Sequence, residues 1–224
     1  NAGLGNTINP LTSLVNEEVY RIPLLLLIGW RGQPGKKDEP QHAKEGAVTP
    51  PLLDALGVPY TVLSDSFEET AQAVETAAAF VREHKLPYAL LVPSGLFEPY
   101  QAQRKDSSPY PLTREDALRL FLSHLHSRDV VVSTTGKTSR ELFFLREELH
   151  QSHEQDFLMV GSMGHCSSIA LGIALQKRDR IVYCLDGDGA ALMHLGALPL
   201  VGTSGLQNFK YILLNNGAHD SVGG

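Results

Sequence analysis

Two short stretches near the end of the chain carry oxygen ligands. Gly187-Asp188-Gly189 is followed, after 25 intervening residues, by Asn215-Asn216. An apolar run, Ile181 to Leu185, leads into the first, and Tyr211 to Leu214 leads into the second. Two strands then bring one carboxylate and one or two carboxamides to the same edge of a sheet. Hard oxygen donors, glycines that admit a phosphate to the backbone and a helix start after Gly189 suit a divalent metal holding a diphosphate. The competing reading is a sheet-edge turn in which Asp and Asn serve only as caps.

Three other stretches could take part. Thr134-Thr135-Gly136-Lys137-Thr138-Ser139 follows a strand and opens a helix, so its hydroxyls and amides can meet a phosphate. It is not a Walker A loop, because the position where that motif needs its first glycine is Val131. Gly161-Ser162-Met163-Gly164-His165 places Met163 25 residues before Asp188. Arg31, Lys36 and Lys37 form a cationic group able to pair with anionic substrate groups, or a solvated basic loop. His42, just beyond them, can manage a proton. His219-Asp220-Ser221 has the residue types of a hydrolase triad, but neighbours on one loop rarely converge, so that reading is set aside. His165 is at least as well explained as a structural histidine.

Strands alternate with helices, as in parallel-sheet proteins. Ile22 to Ile28 reads as a buried strand ending at Gly29, Tyr60 to Leu63 as a strand, Phe67 to His84 as an amphipathic helix, and Tyr88 to Val92 as a strand. A short helix is expected over Pro50 to Leu56. Residues 98–112 hold three prolines and no periodicity and read as a linker. Beyond it come a capped helix from Thr113 through Ser123, a strand Val130 to Val132, a helix Arg140 to Leu149, a strand Phe157 to Val160 and a small-residue helix Ser167 to Gln176. The fold class is therefore α/β: two domains with parallel sheets flanked by helices, at 1–97 and 113–224.

Composition excludes several classes. A net charge of −6 gives no nucleic-acid footprint. No apolar run nears the 18 or so residues of a membrane span, so no membrane partner is expected. Cys166 and Cys184 sit in apolar surroundings without metal spacing and read as reduced buried thiols of a cytoplasmic protein.

The Gly-Asp-Gly and Asn-Asn pair at this spacing resembles the cofactor motif of the thiamine-diphosphate-dependent decarboxylase superfamily. The resemblance implies a pyrimidine-binding domain at 1–97 and a diphosphate-binding domain, incomplete at its C-terminus, at 113–224. It implies thiamine diphosphate and Mg²⁺ as cofactors, with Asp188, Asn216 and the Ala218 carbonyl as metal ligands and Asn215 anchoring the turn. Gly187, Gly189 and Ala190 would lie along the diphosphate, and Thr138 and Ser139 would grip it from the other side. Gly161, Ser162 and Met163 would meet the organic part, Met163 wedged beneath it and the Gly161 carbonyl accepting from its amine. The short linker and the segment Asp38-Glu39-Pro40-Gln41-His42 resemble the phosphonopyruvate decarboxylase branch. That implies non-oxidative decarboxylation of a small 2-oxo acid with an anionic head group, with Arg31, Lys36 and Lys37 at the substrate and His42 and His219 as catalytic histidines. Sulfopyruvate decarboxylase and a non-catalytic thiamine-diphosphate-binding subunit are the alternatives. A homodimer or homotetramer with the site at the subunit interface is implied. The glutamate that activates the cofactor in this superfamily would lie upstream of Asn1. Glu17 and Glu18, expected on a helix, are poor substitutes, so residues 1–224 alone are expected to turn over little or nothing.

Overall fold

The computed structural model describes residues 1–100 and 110–219. It divides into two compact units, Asn1–Arg104 and Lys105–Gly224. Residues 101–109, within the expected linker, and Asp220 and Ser221 lie outside the described residues.

The first unit begins with a single 3₁₀ turn and a short helix α1 (Ile8–Ser13). A three-stranded parallel sheet follows, built from β1 (Leu24–Trp30), β2 (Tyr60–Val62) and β3 (Pro87–Pro93) in the order β1-β3-β2. One face packs on Leu11, Leu53 and Val58 through Ile28, Ala89 and Leu91. The other packs Tyr88, Leu90 and Val92 against Ala77 of α3 (Phe67–His84). Central β3 is therefore apolar on both faces, as a covered parallel strand must be. The β1 run differs from the fully buried strand its composition predicts. It is an edge strand whose side chains alternate, leaving Leu25 and Leu27 exposed. Glu17 and Glu18 lie in turns, not on a helix.

The largest departure is α2 (Pro40–Ala55), which begins ten residues before the expected Pro50. Proline at a first helical turn is favourable, and Pro40 takes that place here. Pro50 and Pro51 then fall inside the helix, where each removes a donor to the carbonyl four residues back. The Gly46 carbonyl, left without an amide from Pro50, accepts instead from the Trp30 indole Nε1 at 2.8 Å. That replacement bond ties the helix to the end of β1.

The second unit holds a four-stranded parallel sheet of β4 (Val130–Ser133), β5 (Asp156–Leu158), β6 (Val182–Gly187) and β7 (Phe209–Leu214), in the order β5-β4-β6-β7. α4 (Arg114–Ser123) opens on a capping box between Thr113 and Asp116, worth about 1 kcal/mol. With α5 (Lys137–Glu148) it covers one face, where Leu118, Leu122, Leu142 and Leu145 meet Val131 and Leu185. α6 (Cys166–Gln176) covers the other. Cys166, Ala170 and Ala174, spaced by four, are completely buried against Val132, Val182 and Cys184. Cys166 and Cys184 are free thiols inside that core. Asn208 holds the end of α6 by donating to the carbonyls of Ala174, Lys177 and Arg180. Two short helices, α7 (Asp188–Met193) and α8 (Ala197–Thr203), separate β6 from β7. α8 contains both Pro199 and Gly202, so local propensity gives little sign of it. Among the described residues no helix is long and apolar enough to cross a membrane.

Candidate functional site

The second unit's sheet gathers its polar loops at one end because all four strands run the same way. Chain order turns on β4: β5 lies on one side of it and β6 on the other. Loops leaving the carboxyl ends of two such strands diverge and open a crevice, the usual ligand position in an open α/β sheet. Here those loops are Thr134–Gly136 and Gly187–Gly189.

The β6–β7 register puts Gly187 opposite Leu214, so Asp188 and Asn215 follow as neighbours. A direct hydrogen bond closes the two motifs on each other: the Gly217 amide donates to Asp188 Oδ2 at 2.9 Å. The same amide donates to Asn215 Oδ1 at 2.9 Å, and Asn216 Oδ1 accepts from the Ala218 amide at 3.2 Å. Asp188 Oδ1 accepts from the Gly189 amide at 2.9 Å. Asp188, Asn215, Gly217, Ala218 and His219 line a cavity of about 390 Å³, with an apolar wall from Leu192, Leu195, Leu198 and Leu213. His219 reaches back over the first motif. A methyl group on Gly189 would lie 2.9 Å from its ring, so only glycine keeps that contact.

The donor set fits a hard cation with few protein ligands. The Asp188 carboxylate and the Asn215 and Asn216 amide oxygens are tied into this edge by the Gly217 and Ala218 amides. Among the described residues no group of three or more His, Cys, Asp or Glu side chains could hold a metal. Mg²⁺, which keeps water and phosphate oxygens in its shell, matches such a sparse set. A second observation lies across the crevice. Thr134 is 4% exposed and its Oγ1 is buried with no hydrogen-bond partner among the described residues, an arrangement that suits a ligand or water there.

Thr138 and Ser139 are buried in the first turn of α5. The Ser139 hydroxyl donates to the Thr134 carbonyl at 2.7 Å and lies 3.2 Å from that of Ser133, so it closes the β4–α5 turn. Thr134, first residue of the stretch whose hydroxyls the sequence offers to a phosphate, holds a buried hydroxyl with no partner among the described residues.

The Gly161–His165 loop rests on α7. A methyl on Gly164 would lie 2.5 Å from His194 Nδ1 and 2.9 Å from the Ala190 carbonyl, and its φ of +91° is itself a glycine conformation. Ser162 is a non-glycine residue at positive φ, +52°. Met163 is half-buried. The His165 and His194 rings pack with centroids 4.0 Å apart, which gives His165 a structural role. Beneath the edge, fully buried Asp186 accepts from the Tyr211 hydroxyl at 2.9 Å and from the Gly187 amide at 3.0 Å. This pair links the two motif-bearing strands. Desolvation, helped by the Asp186 charge, pushes the Tyr211 phenol well above its usual range.

In the first unit, Arg31, Asp38 and His42 form one cluster. Arg31 Nε and Nη2 donate to Asp38 at 3.0 and 2.8 Å. His42 Nδ1 lies 3.0 Å from Asp38 Oδ1. The Arg31 guanidinium holds the Asp38 carboxyl well below the usual carboxylate range. Arg31 spends Nε and Nη2 on Asp38, and its side chain stays about half exposed. Lys36 and Lys37 are exposed on the loop before α2. His42 stands on the first turn of α2 rather than in a loop.

The profile of the thiamine pyrophosphate enzyme C-terminal TPP binding domain matches residues 135–224, which contain β6, β7 and the whole Asp188–Asn216 edge. Those residues belong to the C-terminal TPP-binding domain family of thiamine pyrophosphate enzymes. The chain as a whole is similar to phosphonopyruvate and sulfopyruvate decarboxylases. It is 40% identical over 239 residues to the phosphonopyruvate decarboxylase of Streptomyces viridochromogenes, covering 100% of this chain and 58% of that protein. It is 32% identical over 243 residues to the sulfopyruvate decarboxylase of Methanosarcina acetivorans, covering 99% and 60%. The sulfopyruvate decarboxylase subunit beta of Methanocaldococcus jannaschii aligns over 51% of the chain at 35% identity. The chain thus spans about three fifths of the length of the full-chain relatives.

Proposed function

We propose that the complete protein decarboxylates 3-phosphonopyruvate to phosphonoacetaldehyde and CO₂, using thiamine diphosphate and Mg²⁺. The observation that carries the cofactor reading is the bond between the Gly217 amide and Asp188, which brings the two motifs to one point. Whole-chain similarity to phosphonopyruvate decarboxylase supports the reaction.

In this reading Asp188, Asn216 and the Ala218 carbonyl hold Mg²⁺. Gly187, Gly189 and Ala190 leave the backbone open to the diphosphate, and Thr134 and Thr138 meet its far side. Met163 supports the organic part, with Gly161 and Ser162 beside it. When bound, the cofactor supplies the electron sink for loss of CO₂ from a 2-oxo acid. Lys36 and Lys37 neutralise the substrate's anionic groups, and Arg31 keeps the loop in shape through Asp38. His42 and His219 handle the proton that replaces CO₂ on the former carbonyl carbon and the proton on its oxygen. We further propose a homodimer or homotetramer; the separate alpha and beta subunits named among the relatives support an assembly of more than one chain. The free buried thiols support a reducing, cytoplasmic setting.

Sulfopyruvate decarboxylation is the second reading, favoured by the 32% identity to that enzyme. Both substrates carry an anionic head on the same 2-oxo acid frame, so the Lys36–Lys37 loop suits either. Steady-state assays of the complete protein on both acids, with thiamine diphosphate and Mg²⁺, decide between them. A higher kcat/KM for phosphonopyruvate is expected. A preference for sulfopyruvate replaces the first reading by the second, and turnover of neither removes both.

A further inference from the structure

Both carboxylate oxygens of Asp38 are hydrogen-bonded. Oδ1 accepts from Arg31 Nη2 at 2.8 Å and the Glu39 amide at 2.7 Å, and lies 3.0 Å from His42 Nδ1. Oδ2 accepts from Arg31 Nε at 3.0 Å and the Gly32 amide at 2.7 Å. Its side chain is 15% exposed and that of His42 20%. The backbone around it is fixed as tightly. Gly32 has φ +68°, and a methyl there would lie 1.9 Å from the His42 carbonyl. A methyl on Gly46 would lie 1.9 Å from the Gly32 carbonyl. Two glycines therefore let the loop after β1 lie directly on α2, with Asp38 at the join.

His42 Nδ1 has a second neighbour, Arg31 Nη2, also at 3.0 Å. It cannot satisfy both, because arginine offers only hydrogen and the carboxylate only lone pairs. The Arg31 nitrogen already has a closer acceptor in Asp38 Oδ1. A bare Nδ1 lone pair 3.0 Å from that anionic oxygen would be repelled, whereas an Nδ1–H donates to it. The neutral ring therefore carries its hydrogen on Nδ1. Nε2, which makes no hydrogen bond among the described residues, keeps its lone pair free.

We propose that Asp38 is a positioning residue: it fixes His42 in the Nδ1–H form and so makes Nε2 the nitrogen that exchanges a proton with the substrate. Arg31 serves the same end by anchoring the carboxylate. This rests on the proposed decarboxylase reading, in which His42 meets the substrate. The tautomer is a separate matter, open to measurement without any substrate.

The test uses the complete protein and its variants Asp38→Asn, Asp38→Glu, His42→Ala and the double variant Asp38→Asn/His42→Ala. Nitrogen-15 chemical shifts of His42 in labelled protein read the tautomer directly. Nδ1–H is expected in the native protein, giving way to a mixture or to Nε2–H in Asp38→Asn, with Asp38→Glu restoring the native form in part. In turnover, Asp38→Asn is expected to lower kcat about 10²-fold, the scale of a positioned acid or base, with little change in KM. Titrated thiamine diphosphate should bind the variant as it binds the native protein, which also shows that the variant is folded. The double variant should be no slower than His42→Ala alone, because residues acting as a unit are not additive. An Nε2–H form in the native protein, or a tautomer unmoved by Asp38→Asn, overturns the proposal. So do additive losses in the double variant or an unchanged kcat. Should neither 2-oxo acid turn over, the decarboxylase reading fails, and the shifts alone still decide what Asp38 does to His42.

Discussion

The two polar clusters are built by opposite means. At the Asp188–Asn216 edge the parallel sheet does the positioning. Gly187 and Leu214 are register partners, and the next residue of each strand emerges beside the other. Backbone amides donate to the Asp188 carboxylate and to the Asn216 side chain there. At the Arg31–Asp38–His42 cluster the strand supplies only the approach. A loop folded onto a helix start brings the groups together, and charge holds them. An edge of the first kind leaves oxygen lone pairs ready for a cation. A cluster of the second kind satisfies its own charges and can hold one proton in one place. The first suits a site that gains a metal and a diphosphate; the second suits a site that must not change when substrate arrives.

This contrast can be broken most severely at Asp188. Asp188→Ala in the complete protein is expected to lower kcat/KM at least about 10³-fold, the scale of losing an essential metal ligand and its charge stabilisation. Its unfolding midpoint without cofactor should fall only modestly, because the half-buried side chain gives up two bonds from backbone amides and no core packing. A large fall in stability with activity retained would make Asp188 a mere cap.

Glycine substitutions come next. Gly164→Ala forces a side chain onto a φ of +91° and into contact with His194 and Ala190. A loss of about 1–3 kcal/mol in urea unfolding is expected, along with weaker thiamine diphosphate binding as the Met163 loop lifts from α7. Gly35→Ala, at a φ of +81° but with nothing within 4 Å, should cost less. Equal costs would show that backbone conformation, and not the packing of the loop, sets the effect.

Tyr211→Phe removes the hydroxyl from buried Asp186 while leaving the ring. Leaving a buried acceptor short of a donor costs about 1–3 kcal/mol, read as a lower thermal midpoint. No change would mean that water takes over the bond and that the strand-to-strand link is dispensable.

The smallest effect is one of pH. The Asp38 carboxyl is depressed by the Arg31 hydrogen bonds. A depressed carboxyl contributes stability that is fully present above its unfolded value, about 3.9, and is lost as pH falls toward its folded one. The stability difference between native protein and Asp38→Asn should therefore be flat from pH 8 to 5 and shrink below about pH 4. A difference that already varies between pH 8 and 5 would show that the Asp38 carboxyl is not what sets it.

How much of this was legible in the sequence follows the same division. Strands and motifs at the sheet edge could be read because apolar runs, glycines and a fixed spacing act locally. The capping box at Thr113 and the span of α3 were legible for the same reason. The start of α2 was not, since two internal prolines mimic a helix start and the Trp30 bond that makes good the donor lost at Pro50 forms only in the fold. Asp38 looked like part of a charged loop, because its partners lie on both sides of it and meet only after the chain folds back. The turn-closing hydroxyl of Ser139 and the open one of Thr134 differ only in three dimensions.

The central claim is that the Asp188–Asn216 edge holds Mg²⁺ and a diphosphate cofactor. Calorimetric titration of the complete protein with thiamine diphosphate, with Mg²⁺ and with chelator, tests it most directly when repeated on Asp188→Ala. Saturable binding that needs Mg²⁺ and is lost in the variant is the predicted result. Binding that is indifferent to the metal and to Asp188 would contradict the account.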